Sequence, residues 1–267
     1  MCELFAMSSP VPVGVEFCLH EFALHGGLTA ANKDGWGIAN YAEDGAVRLY
    51  KEAEPASSSE WVEFIEAHDM RSAIVLSHIR RATRGGRSLM NTQPFRRELG
   101  GSCHVFAHNG DLPEVFHDPR FPLGFHKPLG ETDSEYAFCS LLGRLEDLWL
   151  ASAGPPDLEH RTLVVADFAG SLAGLGMANF IYSDGDAVFA HGNRRRDHVA
   201  DPPRPPGLHV LHRSVDGGYH APGLEIAHES GCREMVLVAS VPLTGENWRP
   251  LAEGELVVLR AGRVVGR

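Results

Sequence analysis

The chain has 267 residues, of which 43% are hydrophobic and 22% charged, and these values are typical of a globular protein with a full core. Its formal net charge of −11 argues against nucleic acid or an anionic membrane as the main partner. Five cysteines without a CxxC pair, no signal peptide and no apolar stretch of membrane-spanning length predict a cytoplasmic protein with reduced thiols.

The first half of the chain is predicted to combine several strands with short helices. After a strand-like ELFAM, apolar residues at helical spacing predict a helix over 15–24 that stops at a Gly-Gly pair. GWGIANYAEDGAVRLYKE predicts two strands around a turn at 43–45, and SSSEWVEFIEAHD predicts a helix capped by Ser59. SAIVLSHIR and CHVFAHNGDL predict further strands, the second of which runs into a turn at Asn109 and Gly110.

The second half begins with helices and ends in strands. An amphipathic helix is predicted from Thr132 to about Trp149, and a second helix follows the Gly/Pro stretch at 154–156. NFIYSDGDAVFAHG predicts a hairpin with an Asp-Gly turn, and GLHVLHRS, EMVLVASVPL and ELVVLRAGRVV predict further strands. We expect the Arg- and Pro-rich stretch 193–206 to be exposed and mobile. Many strands without regular βαβ alternation, and no long linker, predict an α+β fold in a single domain over 1–267.

Cys2 directly follows the initiator methionine. Methionine is usually trimmed when the next side chain is small, and Cys2 would then carry a thiol and a free α-amine on one residue. The thiolate is the nucleophilic form of cysteine, and an α-amine with a reference pKa of about 7.7–8 is a suitable base for generating it. A purely structural role, as a small buried residue at the start of a strand, would also account for a cysteine at position 2.

Three other stretches each allow a chemical and a structural interpretation. In HIRRATRG, residues 78–85, an arginine at a strand end binds a carboxylate, belongs to a solvated basic loop, or forms a phosphate-binding patch of Arg80, Arg81, Arg84 and Arg87. In AHNG, residues 107–110, an amide beside a backbone N–H has the geometry of an oxyanion hole, but Asn-Gly is also the commonest tight-turn dipeptide. In ETDSE, residues 131–135, a capping box accounts for the pattern, and the Asp133 carboxylate could also receive an ammonium group.

The order Cys2 … DGWG … HIRxAT … NTQPF … AHNGDL … ETDSE resembles the class II glutamine amidotransferases, which are N-terminal-nucleophile hydrolases, and in particular their YafJ-like stand-alone branch. YSDG, ASVPLTGENW and GELVVLRAGRVV are also similar to the closing strands of the family. The resemblance implies a four-layer αββα sandwich that hydrolyses the γ-amide of glutamine or of a γ-glutamyl compound. It implies no cofactor and no metal.

The resemblance also assigns roles to individual residues. Cys2 matches the nucleophile, and its freed α-amine matches the general base. Asn109 and Gly110 match the oxyanion hole, through the amide side chain and the backbone N–H. The substrate-binding positions correspond to Arg80 for the α-carboxylate, Thr83 as a nearby polar contact, and Asp133 for the α-ammonium. The sequence departs from the family at residues 31–33, where biosynthetic members often have an Arg-Gly pair, and at Arg84, where sugar-amidating relatives tend to have histidine.

Three functions stay open at this stage. The first is a free-standing hydrolase that passes through a γ-glutamyl thioester, releases ammonia or an amine, and yields glutamate. The second is a glutaminase subunit that delivers ammonia to a separate partner protein, and the third is a non-catalytic scaffold of the same fold. Because the fifteen histidines include no HExxH motif, we interpret His104 and His108 as two residues on one face of a strand.

Overall fold

The computed structural model describes residues 1–14, 26–27, 32–68, 70–196, 200–214, 220–221, 224–225 and 234–266. The helices are α1 (Glu60–Ala67), α2 (Asp133–Leu150) and α3 (Leu158–Ala173), and short 3-10 turns lie at Ala56–Ser58 and Leu89–Asn91. The strands are β1 (Glu3–Gly14), β2 (Trp36–Tyr41), β3 (Val47–Glu52), β4 (Arg71–Ile79), β5 (Phe95–Leu99), β6 (Ser102–Asp111), β7 (Met177–Ser183), β8 (Val188–His191), β9 (His209–Ser214), β10 (His220–Ala221), β11 (Leu224–Glu225), β12 (Glu234–Ala239), β13 (Arg249–Pro250), β14 (Leu256–Arg260) and β15 (Arg263–Gly266).

Most of the local predictions that fall on described residues are confirmed. Strands β2 and β3 pair directly around the predicted turn, in which Gly45 has a φ of 81°, a conformation that glycine adopts without strain. The Ser59 side chain caps α1 by accepting a hydrogen bond from the Val62 N–H at 3.3 Å. The helix predicted over 15–24 lies outside the described residues.

Helix α2 begins at the predicted cap, but the predicted capping box forms only in half. The Thr132 hydroxyl accepts the Glu135 N–H at 3.2 Å, as expected. The Glu135 carboxylate does not return this bond; it accepts the Gly130 N–H at 2.7 Å and forms an ion pair with Arg97 at 2.5 Å. The second half of the box is therefore replaced by contacts that tie α2 to β5.

The predicted turn at Asn109 and Gly110 is wrong. Both residues lie inside β6, where Asn109 pairs with Asn179 and Gly110 pairs with Ala178 of β7. Pairing with a strand about 70 residues away along the chain overrides the local turn preference of the Asn-Gly dipeptide. Asn109 consequently belongs to an extended strand, where alternate side chains point to opposite faces.

The expectation that the stretch 193–206 is exposed is wrong at its start. Asn193 is buried, and its N–H donates to the Asn179 side chain at 2.8 Å. Further along, Arg195 and Arg204 form an antiparallel bridge through two backbone hydrogen bonds of 2.9 Å. Asn193, Arg195 and Arg204 are therefore held by contacts that the Arg- and Pro-rich composition of the stretch does not indicate.

Two antiparallel sheets form the centre of the structure. The first has seven strands in the order β13-β9-β12-β1-β4-β2-β3, and the second has six in the order β15-β14-β8-β7-β6-β5. Strands β10 and β11 form a separate two-stranded pair. None of the helices in the described part of the chain is both long and apolar enough to cross a bilayer.

Side-chain alternation along the strands divides the core into layers. On β1, Leu4 and Ala6 face the apolar layer between the two sheets, whereas Phe5 and Met7 lie in the cluster under α1. On β6, Val105 and Ala107 enter the same central layer, and Phe106 faces the cluster formed with α2 and α3. Helices therefore lie outside both sheets, which confirms the predicted α+β fold, a four-layer αββα sandwich.

Candidate active site

Cys2 lies immediately before β1 and beside the segment that follows β4. Strand β1 pairs with β4 so that Glu3 lies opposite Ile79. This register brings the Cys2 sulfur to the backbone of Arg81, whose N–H donates to it at 3.1 Å and whose carbonyl accepts from it at 3.2 Å. A backbone N–H directed at the sulfur stabilises a thiolate more than a thiol.

The surroundings of Cys2 make its ionisation depend on a base. Burial raises the pKa of the Cys2 thiol, against the Arg81 N–H and the positive charges of the chain amine and Arg80, which lower it. In the structure the chain amine belongs to Met1, so the Cys2 nitrogen is a peptide nitrogen. Burial also lowers the pKa of the Met1 amine, which favours its neutral, basic form.

Asn109 directs its side-chain amide at Cys2. Its Nδ2 donates to the Cys2 carbonyl oxygen at 2.6 Å and lies 3.4 Å from the Ser240 Oγ, which also accepts the Leu4 N–H. Asn109 shares the strand face of Ala107 and therefore points between the sheets, where Cys2 begins β1. Strand alternation thus explains why an amide in β6 reaches a residue 107 positions away.

Neighbours on β7 hold Asn109 and Gly110 in place. The Asn179 side chain donates to the Asn109 carbonyl oxygen at 3.0 Å and to the Arg194 carbonyl oxygen at 2.7 Å. A Cβ atom at position 110 would lie 1.7 Å from the Met177 carbonyl oxygen, so only glycine permits this close approach of β6 and β7. Gly110 is required here on steric grounds, whatever its role in chemistry.

Asp133 is the first residue of α2 and is buried. Its carboxylate accepts the Leu112 N–H at 2.7 Å and the Ser134 N–H at 2.9 Å, which fixes its orientation. The carboxylate is close enough to the Cys2 sulfur to raise the pKa of that thiol. An ionised carboxylate offers about four acceptor positions, so capacity for a further donor remains.

His108 connects β6 to α2 beneath the candidate site. Its Nδ1 lies 2.9 Å from the Ser134 hydroxyl and its Nε2 lies 3.1 Å from the Met177 carbonyl oxygen, so Nε2 carries the proton and Nδ1 accepts. Burial lowers the pKa of His108 and keeps the ring neutral. Like His104, which contacts Tyr182, it faces the helices, as the strand interpretation predicts. No group of three or more candidate metal ligands occurs among the described residues.

Arg80 lies at the site, but its guanidinium is occupied by the protein itself. Its two terminal nitrogens donate to four backbone carbonyls, at distances of 3.0–3.2 Å, which belong to Asp34, Arg84, Gly85 and Gly86. The arginine thereby shapes the loop that follows β4 and is only 3% exposed. Thr83, in the same loop, is exposed, and its side chain has no hydrogen bond within the described residues.

Two residues that the sequence analysis did not single out hold these segments together. Asp34, in the DGWG motif, accepts the Ala82 N–H at 2.9 Å and lies 3.3 Å from Arg87. Gln93, in the NTQPF motif, pairs its side-chain amide with the backbone of His108, through bonds of 2.6 and 3.1 Å. The motifs contain both residues, but the partners that reveal their roles are distant in sequence.

The site around Cys2 is distinct from a surface cavity elsewhere on the molecule. That cavity, of about 660 Å³, is lined by the turns at 44–46 and 184–186 together with Arg96, Glu98 and Cys103. It contains none of the six residues predicted for catalysis and substrate binding. The Cys2 site is therefore defined by its hydrogen bonds and charges and not by the size of a cavity.

Comparisons with known proteins agree with the motifs. The family model for class II glutamine amidotransferases matches residues 1–267. An Escherichia coli protein named "Putative glutamine amidotransferase YafJ" is 33% identical over 258 residues, covering 96% of each chain. The crystal structure of a predicted glutamine amidotransferase from Pseudomonas aeruginosa superposes with a TM-score of 0.70 at 32% identity and covers 100% of both chains.

A more distant structure supports the fold alone. Glutamine phosphoribosylpyrophosphate amidotransferase from B. subtilis has a TM-score of 0.60 at 14% identity, over 98% of this chain and 48% of that one. The two-sheet sandwich agrees with this structure and with the Pseudomonas aeruginosa structure, as the resemblance to N-terminal-nucleophile hydrolases predicts. Because the family model matches the whole chain, the protein has a function of the glutamine amidotransferase type and is an amide-hydrolysing enzyme. The resemblance seen in the motifs is confirmed: the chain belongs to the class II glutamine amidotransferases.

Proposed function

We propose that the protein, as one domain over 1–267, hydrolyses the γ-amide of glutamine or of a γ-glutamyl compound with Cys2 as the nucleophile. The observation that carries this proposal is that the Arg81 N–H and the Asn109 side-chain amide both contact Cys2. The Cys2 sulfur contacts the Arg81 N–H at 3.1 Å, and the Asn109 amide lies 2.6 Å from the Cys2 carbonyl oxygen. Family membership supplies the amide class of the substrate.

The reaction proceeds in two halves once Met1 has been removed. The freed α-amine of Cys2 takes the thiol proton, and the thiolate adds to the γ-carbonyl carbon. The resulting oxyanion is bound by the Asn109 amide and the Gly110 N–H. The C–N bond then breaks as the α-ammonium gives its proton to the leaving nitrogen, and a γ-glutamyl thioester and ammonia or an amine result. Water, deprotonated by the same amine, adds to the thioester; the C–S bond breaks, and glutamate and the thiol form.

Charged groups on either side of Cys2 provide recognition of the amino-acid end. Asp133 accepts the substrate α-ammonium with its remaining acceptor capacity. Arg80 binds the α-carboxylate, with Thr83 as a nearby polar contact. Since loop carbonyls accept all four terminal N–H groups of Arg80, a bound carboxylate has to take over some of these bonds. Substrate binding is thereby coupled to the position of the loop at 84–86.

Glutamate release from glutamine tests the proposal, in protein whose N-terminus is established by intact-mass measurement. We expect activity in protein that begins at Cys2, and a loss of about 10³-fold or more in Cys2→Ala, because no thioester forms without the sulfur. Cys103→Ala is the matched control, since this half-buried cysteine lies at the opposite end of β6 from Asn109. Undiminished activity in Cys2→Ala, or full activity in protein that retains Met1, contradicts the proposal.

A further inference from the structure

Met1 occupies a position between two arginine-bearing segments. Its sulfur accepts the Arg196 N–H at 3.2 Å. Burial is the main cause that lowers the pKa of its amine; the charges of Arg81 and Arg195 lower this pKa further, whereas the charge of Cys2 and, more weakly, that of Glu3 raise it. Arginines from two segments therefore lie close to the residue that precedes the nucleophile, in a chain whose net charge is −11.

The chemistry of amide cleavage indicates what takes this place in the mature enzyme. The α-amine of Cys2 gives its proton to the leaving nitrogen, so the two nitrogens must come within hydrogen-bond reach of each other. In the structure Met1 is bonded to that same Cys2 nitrogen. A substituent on the leaving nitrogen consequently extends into the volume that Met1 fills and that its removal opens.

Two arginines beside this volume, Arg195 through its charge and Arg196 through its backbone N–H, carry hydrogen-bond donors without acceptors among the described residues. The Nε atoms of Arg195 and Arg196 are buried and have no hydrogen-bond partner among the described residues. The backbone N–H of Arg196 loses its acceptor when Met1 leaves. Arg195 is fixed by a 2.7 Å bond from its Nη1 to the Ser240 carbonyl oxygen, next to the Asn109 amide. Buried donors of this kind are costly unless an acceptor reaches them.

We infer that the space vacated by Met1 is an anion-binding subsite for the leaving amine, and that the preferred substrates are γ-glutamyl amino acids or peptides, whose leaving nitrogen carries a carboxylate. The inference rests on the proposed function. An α-carboxylate is attached to the carbon next to the leaving nitrogen, so it falls within the same small volume. Arginine side chains suit it because the guanidinium fork matches a carboxylate in shape and charge.

A pair of substrates that differ only in charge tests the subsite. γ-Glutamylalanine and γ-glutamylalaninamide are compared by kcat/KM, with glutamine as the reference for the proposed function. We expect the acid to be preferred by roughly 10- to 100-fold, the usual effect of a hydrogen bond to a charged group. Arg195→Gln and Arg196→Gln should each bring this ratio towards one. Arg194→Gln is the matched control, because the Arg194 side chain is half-exposed and paired with Glu253 at 2.7 Å, and it should keep the wild-type ratio.

The possible results separate the subsite from the proposed function. Equal kcat/KM values for the acid and the amide overturn the subsite, while turnover of glutamine in the same protein still supports the proposed function. If no substrate is turned over, the proposed function fails. The subsite is then tested by calorimetry, which measures how tightly γ-glutamylalanine and γ-glutamylalaninamide bind to Cys2→Ala protein lacking Met1. Tighter binding of the acid than of the amide supports it, and equal binding overturns it.

Discussion

At the scale of single residues, the site depends on where one amide points. Asn109 is a strand residue whose Nδ2 lies 2.6 Å from the Cys2 carbonyl oxygen, and it is held from behind by Asn179. A donor fixed in this way needs little reorganisation when charge develops on a substrate oxygen beside Cys2. The turn prediction for Asn109 is wrong, but its predicted role stays open to test, because that role depends on the side chain and not on the backbone conformation.

We expect Asn109→Ala to lower kcat by roughly 10²–10³, the usual cost of removing one oxyanion donor. The measurement is steady-state hydrolysis of glutamine by the variant, with its fold checked by circular dichroism and thermal unfolding. Asn40→Ala is a suitable control: this asparagine is also buried in a strand, but its side chain faces away from the central layer, and its kcat should match the wild type. A loss smaller than threefold in folded Asn109→Ala would show that the amide has only a structural role.

At the scale of elements, the Gln93 side chain bonds to the backbone of β6 in the way that a neighbouring strand residue would. The Gln93 amide donates to the His108 carbonyl oxygen and accepts the His108 N–H, so it acts as one more residue of a paired strand. His108 in turn reaches Ser134 of α2, which places β6, α2 and the NTQPF segment in one hydrogen-bonded unit. The positions of Asn109 and Asp133 relative to Cys2 depend on this unit.

Replacing Gln93 with a side chain of similar length but no polar atoms tests this role. Gln93→Met leaves two buried backbone groups without partners, and we expect the free energy of unfolding to fall by roughly 2–6 kcal/mol. Gln93→Glu, which in its protonated form can make both bonds in nearly the same shape, should lose less. Urea denaturation of the three proteins gives the comparison; equal losses in the two variants would show that the hydrogen bonds contribute little and that packing dominates.

At the scale of the whole molecule, several histidines are buried in an acidic protein. His78 is fully buried between the sheets, and neither ring nitrogen has a hydrogen bond of normal geometry to a residue in the described ranges. Burial first, and then the charge of Arg80, lowers the pKa of His78 to about 3, although the nearby His108 backbone opposes this weakly. Burial likewise lowers the pKa of His104 to about 4. Both side chains are therefore neutral in the folded protein across the physiological range.

These low histidine pKa values predict that acid destabilises the fold at pH values well above those at which carboxylates titrate. An unfolded histidine titrates near pH 6.5, so below that pH the unfolded chain binds protons that the folded chain does not, and the free energy of unfolding falls. By pH 5 each such histidine contributes a loss of about 2 kcal/mol. We expect His78→Leu to reduce the difference in unfolding free energy between pH 7 and pH 5 by that amount, as measured by urea denaturation at both values. An unchanged difference would mean that His78 titrates similarly in both states.

The sequence by itself predicted the family, the layers that the family resemblance implies, and the side-chain caps of two helices. Alternation of side chains along β1 and β6 assigns residues to opposite faces, and a cap such as Ser59 needs only a donor three positions away. The ordered motifs identified all six candidate site residues, but local chemistry left each one with a structural alternative. These features could be predicted because their causes lie within one turn or one strand, or in the order of motifs along the chain.

Only the tertiary structure decided what each of these residues contacts. Asn109 meets Cys2 across 107 positions and Ser240 across 131, and both contacts depend on the register of two sheets and on how the sheets pack. The same holds for Arg80, whose guanidinium is bound by the loop carbonyls of 84–86, and for Met1, which lies against Arg196. Hydrogen-bond partners this far apart leave no periodic trace in the sequence, because packing of the whole chain brings them together.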